Sequence, residues 1–473
     1  MNIVVLGGAG DMGSHIVRDL IEHSDARVII ADYQVAKARA LARSFGKRAQ
    51  GIFVDAGNRD SLLLALRNAD VAVGAVGPFY RFAPKMAWAS LESHVDYVDI
   101  CDDHGPIETL FEFDAVARKQ GVTLITGLGW TPGLSNVLAR HGANQLDQAD
   151  EIRIAWVGGA ADPHGLAVIE HVLYAVSGRV PTYRDGRWVK VPALSEPEIV
   201  EFPEPLGDIE VFHVGHPEPM TIPRTIPAWT VSLKGALTPK WNNRLAAMLV
   251  RLGLTSSQSR IDFMSRLISR LERVIGAGGV ALSGLRVDVS GTRSGEQVTL
   301  TYSIADRMAQ LAGIPAAIGS LMLARGEIEE PGVFAPEAII DPVPFLDALA
   351  ERGIEIIKHE TVVAEPAAEE VPVEIEVEEA IEEVIAAKGP ATSGVPSARL
   401  IDGEVVEVGL DLKPGRRLET AGEAVPITDR IPSGTLREGE VVEVALALGQ
   451  RQPLEATSPS DTPSRITHHA LEE

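Results

Sequence analysis

The chain has 473 residues, room for two or three domains and a substantial core, and its net charge of −23 argues against a phosphate-backbone partner or an anionic membrane surface. One cysteine, Cys101, excludes an intrachain disulfide and points to a reducing interior. No run approaches the roughly 20 apolar residues that span a bilayer, and a core strand begins almost at Met1, so a cytoplasmic protein with no signal peptide, nucleic acid or membrane partner is expected.

The first element is a strand-turn-helix, Ile3-Val4-Val5-Leu6 followed by Gly7-Gly8-Ala9-Gly10-Asp11-Met12-Gly13 and then Ile16, Val17, Leu20 and Ile21 at helical spacing. Gly8, Gly10 and Gly13 fit G-x-G-x-x-G: one for the tight turn, one for backbone approach to a pyrophosphate, one for close helix–strand packing. The helix N-terminus adds free N–H groups and a partial positive charge. A second strand, Val28 to Ala31, ends in Asp32, nineteen residues past Gly13, where an acid can accept from ribose hydroxyls. A 2′-phosphate there would meet like charge, so NAD is favoured over NADP. The expected cofactor contacts are Gly8, Gly10, Asp11, Met12, Gly13 and Asp32, joined by Asp55, Ala56, Val76, Gly77 and Trp130 from later strand ends.

Those later strands are short apolar runs at 52–54, 71–73, 97–100 and 122–125, with helical patterns between them. The alternation predicts a doubly wound parallel sheet, a Rossmann domain over 1–135, with ligands beyond the carboxyl ends of the strands. From 136 to 330 the pattern becomes a mixed α+β domain for substrate and dimerisation. Its strand candidates are Ile152 to Val157, Trp229 to Lys234, Leu285 to Gly291 and Gln297 to Ile304, with helices near 241–252 and 260–275. Met308 to Ala324 reads as a helix buried between domains, and 331–360 as a helix returning to the core. Residues 361–473 hold 23 acids against 9 bases, a balance of −14 that leaves −9 for the rest. Glu365 to Ala387 suits an acidic linker or solvated helix. Two copies of Gly-Glu-Val-Val-Glu-Val, at 403–408 and 439–444, could build a small β module, but the lack of aromatics favours disorder. The last 20 residues read as an unstructured tail.

The segments Gly8 to Gly13, Val54-Asp55-Ala56-Gly57, Val98-Asp99 and above all Gly127-Leu128-Gly129-Trp130-Thr131-Pro132-Gly133, with Gly332 to Ile339, resemble the saccharopine dehydrogenase family over about residues 1–358. The resemblance is nearest to its lysine 6-dehydrogenase-like members, from which Cys101-Asp102-Asp103-His104 departs. It implies a Rossmann domain, an inserted substrate domain and NAD(P)-linked hydride transfer at the C–N bond of a lysine- or saccharopine-like amino acid, in a homodimer. The alternatives are an NADP-linked reductase forming a carboxylated polyamine or saccharopine-type conjugate, and a nucleotide-binding redox sensor without turnover.

Amine oxidation needs a base at the nitrogen. His104 beside Asp102 suits that role, unless the acids only cap the next helix and His104 is merely exposed. Tyr80 either donates to substrate or packs on the loop rim. A substrate carboxylate calls for Arg; Arg224 stands in a proline-bracketed loop with His213, as a clamp or as an ordinary surface residue. His164, His171, His213 and His216 have poor ligand spacing, so no metal is expected.

Overall fold

The computed structural model describes residues 1–162, 164–275 and 279–363 and, farther along, four strands between 395 and 444. Within Met1–Ala364, one compact unit, the strands are β1 (Asn2–Leu6), β2 (Arg27–Asp32), β3 (Ala49–Phe53), β4 (Val71–Gly74), β5 (Asp96–Asp99), β6 (Thr123–Ile125), β7 (Gln148–Gly159), β8 (Arg179–Arg184), β9 (Arg187–Pro192), β10 (Glu198–Phe202), β11 (Gly207–His213), β12 (Thr230–Thr238), β13 (Ser283–Arg293), β14 (Glu296–Asp306), β15 (Gly332–Phe334) and β16 (Ile357–Val363). The helices are α1 (Asp11–Glu22), α2 (Val35–Ser44), α3 (Arg59–Ala65), α4 (Phe79–Ser93), α5 (Ile107–Phe111), α6 (Asp114–Gln120), α7 (Leu134–Ala143), α8 (Leu166–Ala175), α9 (Glu218–Thr221), α10 (Trp241–Arg251), α11 (Gln258–Ile275), α12 (Met308–Ala324), α13 (Pro336–Ile339) and α14 (Pro342–Glu351).

The first sheet is parallel throughout, in the order β15-β6-β5-β4-β1-β2-β3. Its central strands are buried on both faces, which is why they read as unbroken apolar runs rather than as alternation. The strand order reverses between β1 and β4, and that reversal opens a crevice at their carboxyl ends. On α1 the buried set is Gly13, Ile16, Val17, Leu20 and Ile21, the face laid on the sheet.

The second sheet is mixed and has nine strands, with β10-β11-β12-β7-β13-β14-β16 along its main path and the β8–β9 pair attached through β12. Only β12–β7 run parallel. Ser294 and Gly295, both at positive φ, turn β13 into β14 in two residues. The strands β8 to β11 went unread in the sequence; in β9 and β10 the apolar Trp188 and Ile199 face outward, and β9 buries one residue of six.

The return of the chain to the core differs from a single helix. β15 adds a strand to the first sheet, α13 and α14 follow, and β16 closes the edge of the second sheet. Arg352, just past α14, donates from Nε to both carboxylate oxygens of Asp19 on α1, at 3.1 and 3.0 Å. A buried pair of this kind costs about 3–5 kcal/mol to break from one side. Packed on α1, α14 and strands β4 and β5 of the first sheet, α12 is apolar on all sides and buried along nearly its whole length.

In the second unit, Glu365–Glu473, the strands Val395–Ile401, Glu404–Asp411, Ala424–Ile427 and Val441–Val444 form a four-stranded sheet. Both copies of the short repeat contribute a strand, where disorder was the favoured expectation. The acidic run 365–387 and the last 20 residues lie outside the described residues. Among the described residues no helix is long and apolar enough to cross a membrane.

Candidate active site

The glycine turn after β1 is a cradle that no larger residue fits. Gly7 sits at φ +81, and a Cβ on Gly13 would lie 2.2 Å from the Gly7 carbonyl oxygen. A Cβ on Gly8 would lie 2.9 Å from the Val5 carbonyl. The residue capping α1 is Gly10, which offers no side-chain acceptor, so the first-turn N–H groups are open to a pyrophosphate. At the end of β2, Asp32 accepts from the Ala9 N–H at 3.0 Å and from the Gln34 N–H at 2.8 Å. One backbone bond per oxygen fixes the carboxylate and leaves lone pairs for ribose hydroxyls. Asp55 and Ala56 follow β3, and Val76 and Gly77 follow β4. These residues fit a dinucleotide.

Met12, Gly77 and Trp130 also line a cavity of about 200 Å³ that runs from the strand ends of the first sheet to β7, α8, α10 and α11. On its wall stand Asp102, His171 and His216. Asp99, wholly buried at the end of β5, holds this region together: its Oδ1 accepts from Cys101 N, Thr126 Oγ1 and Gly127 N at 3.1, 3.0 and 2.8 Å. Burial lifts the Asp99 carboxyl to about 6 against those bonds. Next along, Asp103 accepts from the Tyr80 N–H at 2.8 Å and from His171 Nδ1 at 2.8 Å. Asp102 Oδ1 lies 3.2 Å from the same Nδ1.

With Nδ1 held by carboxylates, His171 Nε2 faces His216 Nε2 at 3.3 Å. His216 Nδ1 in turn lies 3.7 Å from Glu218 Oε2, and Glu218 Oε1 accepts from the hydroxyls of Thr131 at 2.5 Å and Ser135 at 2.8 Å. Burial opposes charge on His171, but Asp102 and Asp103 outweigh it and raise the ring to about 9. Burial pushes Asp102 up to about 7 against the pull of His171, and the Asp103 charge adds to the rise. His216 is held well below its usual range by burial and by the neighbouring His171 cation, so it accepts where His171 donates. Burial raises Glu218 to about 7 despite its hydroxyl donors. The result is a graded proton chain from Asp102 and Asp103 through His171 to His216 behind one wall of the cavity, with Glu218 beside its end.

Of the residues expected from sequence to do catalysis, Asp102 is on that wall. His104 and Tyr80 are not: both rings pack on Tyr174, at 5.0 and 4.8 Å between centroids. His104 also abuts Gly215, where a Cβ would lie 2.6 Å from the ring, and burial lowers its proton affinity. Arg224 donates to the Met220 carbonyl at 3.0 Å and lies over the Phe111 ring at 4.8 Å. His213 lies 3.2 Å from Glu196. Neither lines the cavity, although His216 of the same segment does. His171, His216, Glu218 and Thr131 were not assigned roles from sequence. The available signal was an ionisable Glu170-His171 pair interrupting the apolar run Leu166 to Ala175. Asp102, Asp103 and His171 also bring three possible metal-ligand atoms within 4.8 Å of one another; the 2.8 Å contact from Nδ1 to Asp103 is a hydrogen-bond distance.

Residues 3–125 match the saccharopine dehydrogenase NADP binding domain and residues 129–354 the saccharopine dehydrogenase C-terminal domain. Carboxynorspermidine synthase of Vibrio cholerae is 23% identical over 397 residues, covering 73% of this chain and 94% of that protein. Carboxyaminopropylagmatine dehydrogenase of Synechocystis is 24% identical over 393 residues, covering 74% and 95%. Apo saccharopine dehydrogenase (L-Glu forming) from Saccharomyces cerevisiae superposes with a TM-score of 0.59 at 18% identity, over 77% of this chain and 100% of that one, and so shares the fold. With both domains matched in order, the chain belongs to the saccharopine dehydrogenase family of NAD(P)-dependent oxidoreductases.

Proposed function

We propose that this protein transfers hydride between NAD and the C–N bond of a carboxylated, multiply cationic amine of the polyamine-conjugate type. The observation that carries this reading is the charge of the cavity wall. Its described lining includes the carboxylates of Asp102 and Glu272 and the imidazoles of His164, His171 and His216, and no Lys or Arg. Saccharopine, with three carboxylates, would want guanidinium clamps, and Arg224 is elsewhere. A wall with two carboxylates, one imidazolium at His171 and no Lys or Arg suits an amine better than further carboxylates. The names of the two curated relatives support the same substrate class. NAD is favoured by Asp32, whose carboxylate would oppose a 2′-phosphate.

The nicotinamide, when bound, supplies the acceptor or donor of hydride. The chain's residues handle the protons. In the oxidative direction Asp102 takes the proton from the substrate ammonium, freeing the nitrogen lone pair, and His171, fixed through Nδ1 by Asp103, stabilises the carboxylate. As hydride leaves the adjacent carbon, the nitrogen lone pair forms the iminium, and Asp102 releases its proton to solvent through the cavity. Asp102 then takes a proton from the water that adds to the iminium carbon and returns it to the nitrogen; the C–N bond breaks as the carbinol O–H proton passes to Asp102, giving a carbonyl compound and a free amine. His171 Nε2 and His216 Nε2 provide an exchange path for the proton left on the wall.

The test is a substrate panel of carboxynorspermidine, carboxyaminopropylagmatine, saccharopine and lysine with NAD and with NADP, followed by absorbance of the reduced nicotinamide. Turnover of the polyamine conjugates with NAD is expected. Turnover of saccharopine or lysine alone would overturn the substrate assignment.

A further inference from the structure

We infer that the outer face of α10 and α11 is a docking surface for an anionic lipid bilayer. The two helices are bound to the body by a small cluster of their own: Leu249 of α10 and Ile261 and Met264 of α11 pack with Leu173 of α8, apart from the main core. That accounts for their inner faces. On α10 the exposed large side chains are Trp241, Met248 and Leu252, at i, i+7 and i+11, within about 40° of one another around the axis. On α11 they are Phe263, Leu267 and Leu271, at i, i+4 and i+8. Phe263 is 67% and Leu252 64% exposed. A stripe of this kind on each of two helices anchored in the same small cluster exceeds the scattered exposure of ordinary surfaces.

The charge of this segment runs against that of the whole chain. Between 240 and 272 stand Lys240, Arg244, Arg251, Arg260, Arg266 and Arg270, with Asp262 and Glu272 as the acids. Both acids are engaged with other elements: Asp262 pairs with Arg81 at 3.0 Å, and Glu272 faces His164 at 3.5 Å. The five arginines are exposed, and among the described residues Arg244, Arg251 and Arg270 make no ion pair. Net charge alone argued against an anionic membrane, but the Debye length of about 8 Å lets a local basic face act on its own. Anionic headgroups complement the arginines while the apolar stripes enter the interfacial region, the pattern of an amphipathic helix lying in a membrane surface.

The test uses the full chain in co-sedimentation with phosphatidylcholine vesicles, with and without phosphatidylglycerol. Binding to the anionic vesicles, weakened by salt, is expected. Arg244→Glu with Arg251→Glu should lower the partition by about tenfold or more, and Phe263→Ser with Leu267→Ser should lower it at unchanged salt sensitivity. Circular dichroism and cofactor titration should be unaltered in both variants. Failure to sediment with anionic vesicles overturns the proposal, as does a dimer in sedimentation velocity that the Phe263→Ser, Leu267→Ser variant dissociates.

Discussion

Asp102 shows how much one side chain owes to its surroundings. In the sequence it is one of two adjacent acids at a strand end. In the fold Asp103 is consumed by the Tyr80 N–H and His171, whereas Asp102 stands on the cavity wall with its carboxyl pushed up to about 7 by burial. A base in amine oxidation works deprotonated, so the rate should fall as pH drops below about 7. Asp102→Asn removes the acceptor: kcat/KM should fall by a factor on the order of 10² to 10⁴, and the residual activity should lack the acidic limb near pH 7. A pH profile of kcat/KM checks this. An unchanged limb in the Asn variant would remove Asp102 from the role of base.

At the scale of elements, the β1–α1–β2 unit is the part that was legible in advance. Its apolar runs, glycine spacing and terminal acid are local features, and each glycine is required by contacts within the same short segment, such as Gly13 against Gly7. Asp32 lies where β2 ends beside the turn, tied to the Ala9 and Gln34 N–H groups. Asp32→Ser should weaken NAD by about 1.5–3 kcal/mol, the worth of a hydrogen bond to a charged group, and narrow or reverse its lead over NADP. Parallel titrations with both cofactors measure this; an unaltered ratio would remove Asp32 from the ribose. β9 and β10 were not legible, because Trp188, Val189 and Ile199 put apolar side chains on the exposed side; β11, with Ile209 and Val211 buried and Glu210 exposed, carried an alternation that went unused.

For the whole molecule, all the cavity-lining residues belong to the unit Met1–Ala364. A chain ending at Ala364 should therefore remain folded, bind NAD with the affinity of the full chain and keep its thermal midpoint within a few degrees. Cofactor titration and a thermal scan check this. A folded truncation that no longer binds NAD would make the C-terminal unit part of the site.

Hydrophobic periodicity and glycine spacing act over a few residues, so the sequence by itself determined the parallel sheet, the glycine turn, the acid at the end of β2 and the family likeness. The proton chain is different in kind. Asp102 follows β5, His171 sits on α8, His216 follows β11 and Thr131 lies in the turn after β6, segments up to 114 residues apart that share no local pattern. Only the packing of the second sheet and α8 against the strand ends brings them within hydrogen-bond and ion-pair reach. The same packing turned Arg224 and His213 away from the cavity, because where a loop side chain points depends on what the rest of the fold leaves open.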